Sequence, residues 1–351
     1  MSRPRILVAG NFHWQAGFSQ TVAAYVRAAR EADCEVRLCG PLSRVDAETA
    51  RHLPVEPNLR WGTHLVIMFE AKQFLTEAQL DLVAAFPRQR RAIVDFDGHW
   101  GAEEGGDGDS ASGRYSAESW RRLYSTLSDL ILQPRLGPLP AGARFFKCFG
   151  LAAPVRHPLE LGTGAQSRPY DLQYIGSNWW RWEPMTEMVE AAAAARPPLR
   201  RLRVCGRWWD GGSCAGFEEA TPSEPGWLRA RGVEVHPPVP FGHVVEQMGR
   251  SLISPVLVRP LVTSTGLLTP RMFETLASGS LPVLPVAAKF LAPVYGDEAE
   301  HLMLGDDPAG TLSRLSAEHE RYGRLVGEIQ DRLRVEYGYP RVLRDLLDLL
   351  A

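Results

Sequence analysis

The sequence predicts two α/β domains, each built on a doubly wound parallel sheet, and three observations carry that reading. Short apolar runs of strand length alternate with helix-length segments along most of the chain, the pattern of a parallel sheet covered on both faces. The two halves open alike, each with a strand-length stretch that stops at a glycine: Ile6-Leu-Val-Ala-Gly10 and Tyr170-Asp-Leu-Gln-Tyr-Ile-Gly176. Between them, Arg156 to Pro169 is rich in proline, glycine and polar residues and reads as a linker. A length of 351 residues suits two domains of common size.

In order, the first half predicts strands at Ile6–Gly10, Cys34–Cys39, His64–Phe69, Arg91–Phe96 and Asp129–Gln133. Helices are expected near Ser19–Ala32, Thr76–Phe86 and Ala117–Leu127. The second half predicts a strand at Tyr170–Gly176 and an alanine-rich helix ending near Ala195, then strands at Leu202–Cys205, Val233–His236, Ser251–Val258 and Leu281–Pro285. After Asp307-Pro308 the chain reads as helices, the last an apolar one over Val342–Leu350. The expected division is 1–155, 156–335 and a terminal helical segment 336–351.

Composition narrows the function classes. A hydrophobic content of 45% with 23% charged residues is ordinary for a globular chain. The net charge of −2 lacks the electrostatic footprint of a nucleic-acid binder, so no nucleic-acid partner is expected. The five cysteines are odd in number, scattered and free of any C-x-x-C pair, which argues against a disulfide framework or zinc site and suits a reducing cytoplasm. No apolar run reaches the roughly 18 residues that span a bilayer, and no signal core precedes the first strand. The loop Gly10-Asn-Phe-His-Trp-Gln-Ala-Gly lacks the G-x-G-x-x-G dinucleotide fingerprint, so no resident cofactor is expected. Elbow serine, H-E-x-x-H and Walker motifs are also missing.

The most informative stretch is Thr265-Gly-Leu-Leu-Thr-Pro-Arg-Met-Phe-Glu-Thr-Leu-Ala-Ser-Gly-Ser-Leu-Pro-Val-Leu-Pro285. Thr269 suits an N-cap, Pro270 the first helical position and Gly279 the C-terminal stop. Met272, Phe273, Leu276 and Ala277 share one face, leaving Arg271 and Glu274 together on the other. An arginine in a first turn opposes the helix dipole, which makes sense where an anion docks at the helix start. Glu274, one turn on, is positioned to accept hydrogen bonds from ribose hydroxyls. An ordinary surface Arg–Glu pair, worth under about 1 kcal/mol, has the same pattern.

The run Pro270-Arg-Met-Phe-Glu-Thr-Leu-Ala-Ser-Gly-Ser-Leu-Pro282 resembles the signature helix of the group-1 glycosyltransferases of GT-B fold, particularly the branch similar to the CgeB spore-maturation proteins. That resemblance implies two Rossmann-like domains facing across a cleft, with the acceptor on the first and a nucleoside-diphosphate sugar on the second. The terminal helix would cross back to the first domain. The resemblance also implies transfer with retention; the helix dipole and arginines can stabilise the leaving diphosphate without a metal, and the expected acceptor is a small molecule or a glycan. Glu274 would hold the donor ribose, while Arg271 and the loop Thr265, Gly266 and Thr269 would face the diphosphate. The family's second glutamate falls at Gly266, a departure from the pattern. Gly176 and Arg181, in the loop opening the second half, match the donor-phosphate loop, and backbone groups around Val239 and Phe241 would lie beside the base.

His99 matches a histidine that lies near the donor sugar in related enzymes. Asp97 is a candidate general base if the reaction inverts, and His13 is a third polar candidate at a strand end. A rival reading takes Asp95-Phe-Asp97 as a metal-binding D-x-D of a GT-A transferase. Another keeps the donor clamp without turnover, as a nucleotide-sugar sensor.

Overall fold

The computed structural model describes residues 3–10, 17–40, 50–51, 53–58, 60–69, 81, 83–101, 116–161 and 168–351. The chain divides into two compact units: residues 1–150 with Thr265–Pro270 and Val335–Ala351, and residues 151–264 with Arg271–Arg334.

In the first unit, six parallel strands lie in the order β2-β1-β3-β4-β5-β6. They are β1 (Arg5–Ala9), β2 (Glu35–Cys39), β3 (His64–Phe69), β4 (Arg91–Asp95), β5 (Ile131–Gln133) and β6 (Ala143–Phe145). The central strands are apolar throughout because both faces are covered; Leu7, Val8, Leu65, Val66, Ile93 and Val94 have no exposure. Helix α1 (Gly17–Ala28) follows β1. Helix α2 (Ala117–Leu127) starts at Ser116, whose hydroxyl accepts from the Ser119 N–H at 3.2 Å, an N-cap bond. Its stripe Trp120, Tyr124 and Leu127 enters the core with Leu7, Leu65, Ile67 and Ile93. Strand β6 was not anticipated, since it alternates half-buried and exposed residues and has no apolar run.

The second unit orders its five parallel strands β11-β10-β7-β8-β9. These are β7 (Tyr170–Ile175), β8 (Leu202–Cys205), β9 (Val233–His236), β10 (Ser251–Pro255) and β11 (Leu281–Val283). The order reverses between β10 and β7, and in such sheets ligands bind at that reversal, beyond the carboxyl ends of the strands. Helix α3 (Trp182–Ala194) follows β7 and buries Met185, Met188, Val189 and Ala192 at helical spacing. Helices α4 (Val244–Met248), α5 (Pro260–Thr265) and α6 (Pro270–Ser278) flank β10. Ladder pairing of β10 stops at Pro255, though Val256 to Val258 stay buried.

The described ends of the expected linker are tied into this unit rather than free. The Arg156 N–H donates to Ala277 O at 2.9 Å. Arg168, 4% exposed, donates to Ser251 O, Gly279 O and Pro158 O at 2.7, 3.1 and 2.9 Å. These bonds fix the carboxyl end of α6, and burial depresses the Arg168 pKa to about 10.

Helix α7 (His319–Glu336) precedes α8 (Tyr339–Leu350). Helix α8 packs on α1 within the first unit, with Tyr25 and Tyr339 edge to face at 5.7 Å. Val342, Leu343 and Leu346 are fully buried, each contributing about 1.5–3 kcal/mol.

Candidate functional site

At the strand-order reversal of the second unit, Gly176 ends β7 and its N–H donates to Cys205 O at 2.8 Å. A Cβ there would lie 2.5 Å from Tyr174 Oη and 3.1 Å from Arg271 Nη2, so the position admits little beyond glycine. The indole N–H of Trp209, which has no exposure, donates to Gly176 O at 2.7 Å and fixes the loop from below. A Cβ on Gly206 would overlap the same carbonyl oxygen, so two strand-end glycines let the β7 and β8 loops close on one another.

Arg271, in the first turn of α6, reaches this glycine. Its Nη1 lies 3.5 Å from Glu274 Oε2 and 3.7 Å from Met248 Sδ, with the guanidinium carbon 5.6 Å from the Tyr174 ring centroid. The two side chains are 19% and 12% exposed, far from the solvated pair that is the bland alternative. Burial raises the Glu274 carboxyl above the usual carboxylate range, and Arg271 pulls it back only in part. Val239 packs on Ile175, Cys205, Val244 and Met248, beside the sulfur that meets Arg271. Phe241 opens the 3-10 turn Phe241–His243. Four of the predicted residues, Gly176, Val239, Arg271 and Glu274, are therefore gathered at the carboxyl edge of one sheet. The half-buried cation can meet a phosphate and the carboxylate can meet a diol.

Other predicted residues are used differently. The Arg181 guanidinium donates to Leu257 O at 3.1 Å, Ser177 O at 3.2 Å and Trp179 O at 3.0 Å, so it braces the loop. Its neighbours Trp180 and Trp182 line a cavity of about 330 Å³ together with Leu257, Val258, Pro260 and Thr263; Arg181, Arg271 and Glu274 do not line it. Thr265, Gly266 and Thr269 belong to the first unit. There Leu267 pairs antiparallel with Arg135, flanked by Leu136 N–H to Gly266 O at 2.9 Å and Leu268 N–H to Pro134 O at 2.7 Å. Gly266 has φ +67°, a left-handed conformation in which a glutamate would be strained.

Asp95 and Asp97 are chemically distinct. Asp95, with no exposure, accepts from four donors: His99 N at 3.1 Å, Tyr124 Oη at 3.1 Å, Trp100 N at 2.9 Å and Gln133 Nε2 at 2.7 Å. A carboxylate so occupied is a scaffold for the turn after β4, which removes the basis of the D-x-D reading. Among the described residues, no group of three or more His, Cys, Asp or Glu side chains is arranged to hold a metal ion. The strand ends at Asp95 and a turn follows, so strict alternation does not reach Asp97. Asp97 Oδ2 lies 3.8 Å from His99 Nε2. The His99 ring is 1% exposed, stacks on Trp120 at 4.1 Å and 5°, and leaves Nε2 buried without a hydrogen bond. His13 lies outside the described residues.

Tyr174, Trp209, Met248, Tyr124 and Gln133 were missed by sequence reasoning. Only Trp209 had a local signal, its place in Cys205-Gly-Arg-Trp-Trp209 after a strand.

No protein-family model and no curated protein matches the chain. Solved structures do, over its whole length. T4 phage β-glucosyltransferase in complex with UDP and Mn2+ is similar at 11% identity and TM-score 0.59, covering 99% of both chains. The same T4 phage enzyme with its UDP-glucose substrate gives 12%, 0.59 and 99% of both. An alpha-glucosyltransferase in complex with UDP-glucose and DNA containing an abasic site gives 12%, 0.60 and 99% of both. These likenesses overturn the exclusion of nucleic acid drawn from net charge, because proteins of this fold are seen bound to DNA. A net charge sums the whole surface and does not report one face. At these identities the likeness is one of fold, and the fold of this chain is that of the GT-B glycosyltransferases.

Proposed function

We propose that this protein transfers a hexose from a uridine-diphosphate sugar to an acceptor hydroxyl, with DNA as the first acceptor class to test. The observation that carries the reading is the Gly176–Arg271–Glu274 arrangement at the strand-order reversal. Arg271 and the amino end of α6 supply positive charge to the departing diphosphate, and Glu274 takes the ribose hydroxyls. That charge is intrinsic to the chain, so transfer proceeds without a divalent ion. The DNA-bound structures of similar fold support the acceptor class. The narrower kinship with CgeB-like proteins rests on α6 alone.

In the first unit, Asp97 is the base that takes the proton of the acceptor hydroxyl, and His99, through its bare Nε2, orients that hydroxyl. A carboxylate base implies inversion at the anomeric carbon. We adopt inversion over the retention that the signature helix implies, because the glutamate position of that pattern is a left-handed glycine here.

The test is UDP release and product mass with UDP-hexoses and DNA bearing hydroxylated bases, with chelator and with manganese, for the wild type and Asp97→Asn. The expected result is chelator-resistant transfer that falls about 10²- to 10⁴-fold in the variant while UDP affinity holds, and a product of inverted anomeric configuration by NMR. UDP-sugar binding with neither transfer nor hydrolysis for any donor would leave a sensor instead.

A further inference from the structure

Arg135 is a half-buried arginine that the proposed chemistry does not use. Among the described residues it has no ion-pair partner and no side-chain hydrogen bond, and its Nε is buried without a partner. Burial lowers its pKa, with no carboxylate among the described residues to oppose it. A partly desolvated cation without a counter-charge among the described residues carries a cost, and one is expected where an anion arrives.

Its place in the fold is specific. Arg135 and Leu267 form an antiparallel pair whose flanking bonds run from Leu136 N–H to Gly266 O and from Leu268 N–H to Pro134 O. They are thus a non-hydrogen-bonded pair, with side chains close together on one face. Leu267, fully buried, is packed against the turn that carries Asp97 and His99; its Cδ1 lies 3.3 Å from where a Cβ on Gly98 would stand. Gly137 approaches so near that a Cβ there would sit 3.1 Å from Thr265 O and 3.9 Å from Arg135 Nε. Arg135 is therefore held next to Leu267, the residue that packs on the Asp97–His99 turn, by backbone pairing, with no counter-charge among the described residues.

We propose that Arg135 is the anion-binding residue of the first unit, taking a phosphate group next to the Asp97–His99 turn. The phosphate belongs either to the backbone of a nucleic-acid acceptor or to a nucleotide. The choice of source rests on the function proposed above, whereas the anion site itself does not.

The probe is inorganic pyrophosphate, read by thermal unfolding of the full chain in an Arg271→Gln background that silences the second unit's cation. The expected result is a pyrophosphate-dependent rise in Tm that Arg135→Met abolishes and Arg135→Lys keeps in part. Without pyrophosphate, Arg135→Met unfolds at the same temperature or higher, which a merely structural arginine would not allow. An equal pyrophosphate shift with and without Arg135, or no shift in the Arg271→Gln background, overturns the proposal. Should Arg271→Gln not fold, calorimetric site number in the wild type against Arg135→Met decides the same point. Two further arms name the source. An acceptor backbone predicts about tenfold weaker binding of a short DNA duplex to Arg135→Met, with the slope of log K against log salt smaller by about 0.9. A nucleotide predicts that loss for UDP instead. Loss of sugar transfer in every assay would sink the proposed function and leave the pyrophosphate result standing.

Discussion

Replacing Glu274 by alanine is the sharpest test of the donor clamp. The carboxylate is 12% exposed and lies 3.5 Å from Arg271, so a nucleotide meets a group already desolvated and oriented. Two vicinal ribose hydroxyls can each donate to one oxygen. Hydrogen bonds to charged groups are worth about 1.5–3 kcal/mol, and the lower figure for each gives about 3 kcal/mol, or roughly 150-fold in Kd. Calorimetric titration with UDP and 2′-deoxy-UDP separates this from a general loss of the site. The wild type should bind the deoxynucleotide about tenfold more weakly, having lost one of the two bonds. Glu274→Ala, having lost both bonds, should bind the two alike, roughly 150-fold more weakly than the wild type binds UDP. A variant that still discriminates between the two nucleotides, or that binds UDP as tightly as the wild type, refutes the ribose role. The substitution also leaves Arg271 facing only Met248 Sδ and the Tyr174 ring. Its residual 19% exposure keeps that penalty below the roughly 3–5 kcal/mol of a fully buried broken pair. Glu274→Gln, which keeps the shape, serves as the folding control.

Other outcomes follow from the same geometry. Asp95→Ala strands four donors at about 1 kcal/mol or more each, so unfolding should shift by at least about 4 kcal/mol; a chelator-dependent loss without destabilisation would restore the metal reading. Gly176→Ala should retain the fold but lose UDP affinity, and Tyr174→Phe, by removing the oxygen 2.5 Å from the new Cβ, should recover part of it; an affinity unchanged by Gly176→Ala counts against the site. Gly266→Glu should cost about 1–2 kcal/mol in thermal unfolding through its left-handed φ, without any gain in transfer. The raised Glu274 pKa means that the folded state binds this proton more tightly than the unfolded chain does. Its charged form therefore costs stability above the folded pKa, a cost relieved as pH falls through that pKa towards the ordinary value of 4.5. The Tm advantage of Glu274→Gln over the wild type should accordingly shrink on acidification through that window, and an advantage that grows would contradict the assigned shift.

The parts legible in the sequence are those whose determinants are local. β1 announces itself because a strand covered on both faces is apolar in every central residue, whereas β7, with Asp171 and Gln173 inside it, is marked by its stop at Gly176. Arg271 and Glu274 could be paired on sight because three residues apart on an amphipathic helix means one face. Where a side chain's use is decided by distant backbone, the sequence is silent. Arg181 looks like a phosphate ligand until it is seen to donate to Leu257 O, 76 residues away. Asp95 ends β4 and Asp97 lies two residues beyond it, and the two cannot be ranked by motif. What separates them is Tyr124 and Gln133, 29 and 38 residues on, which donate to Asp95.

Arg135 is the extreme case, since nothing near it in sequence marks it. Its environment is made by a segment more than a hundred residues later, which pairs back beside β5 to put Leu267 at its side. The same segment runs directly into α6, so a single stretch of chain supports the Asp97–His99 turn at Leu267 and begins the donor clamp at Arg271. A motif scan reads that stretch as one signature. Its physical content is two tasks in succession, divided at Pro270, where strand-like pairing gives way to the first helical turn. If the helix holds a donor as proposed, that division puts the two glutamate positions of the group-1 pattern under different constraints. Gly266 sits in the pairing segment, where a left-handed backbone favours glycine, and Glu274 sits in the helix, where the proposed ligand would set the residue.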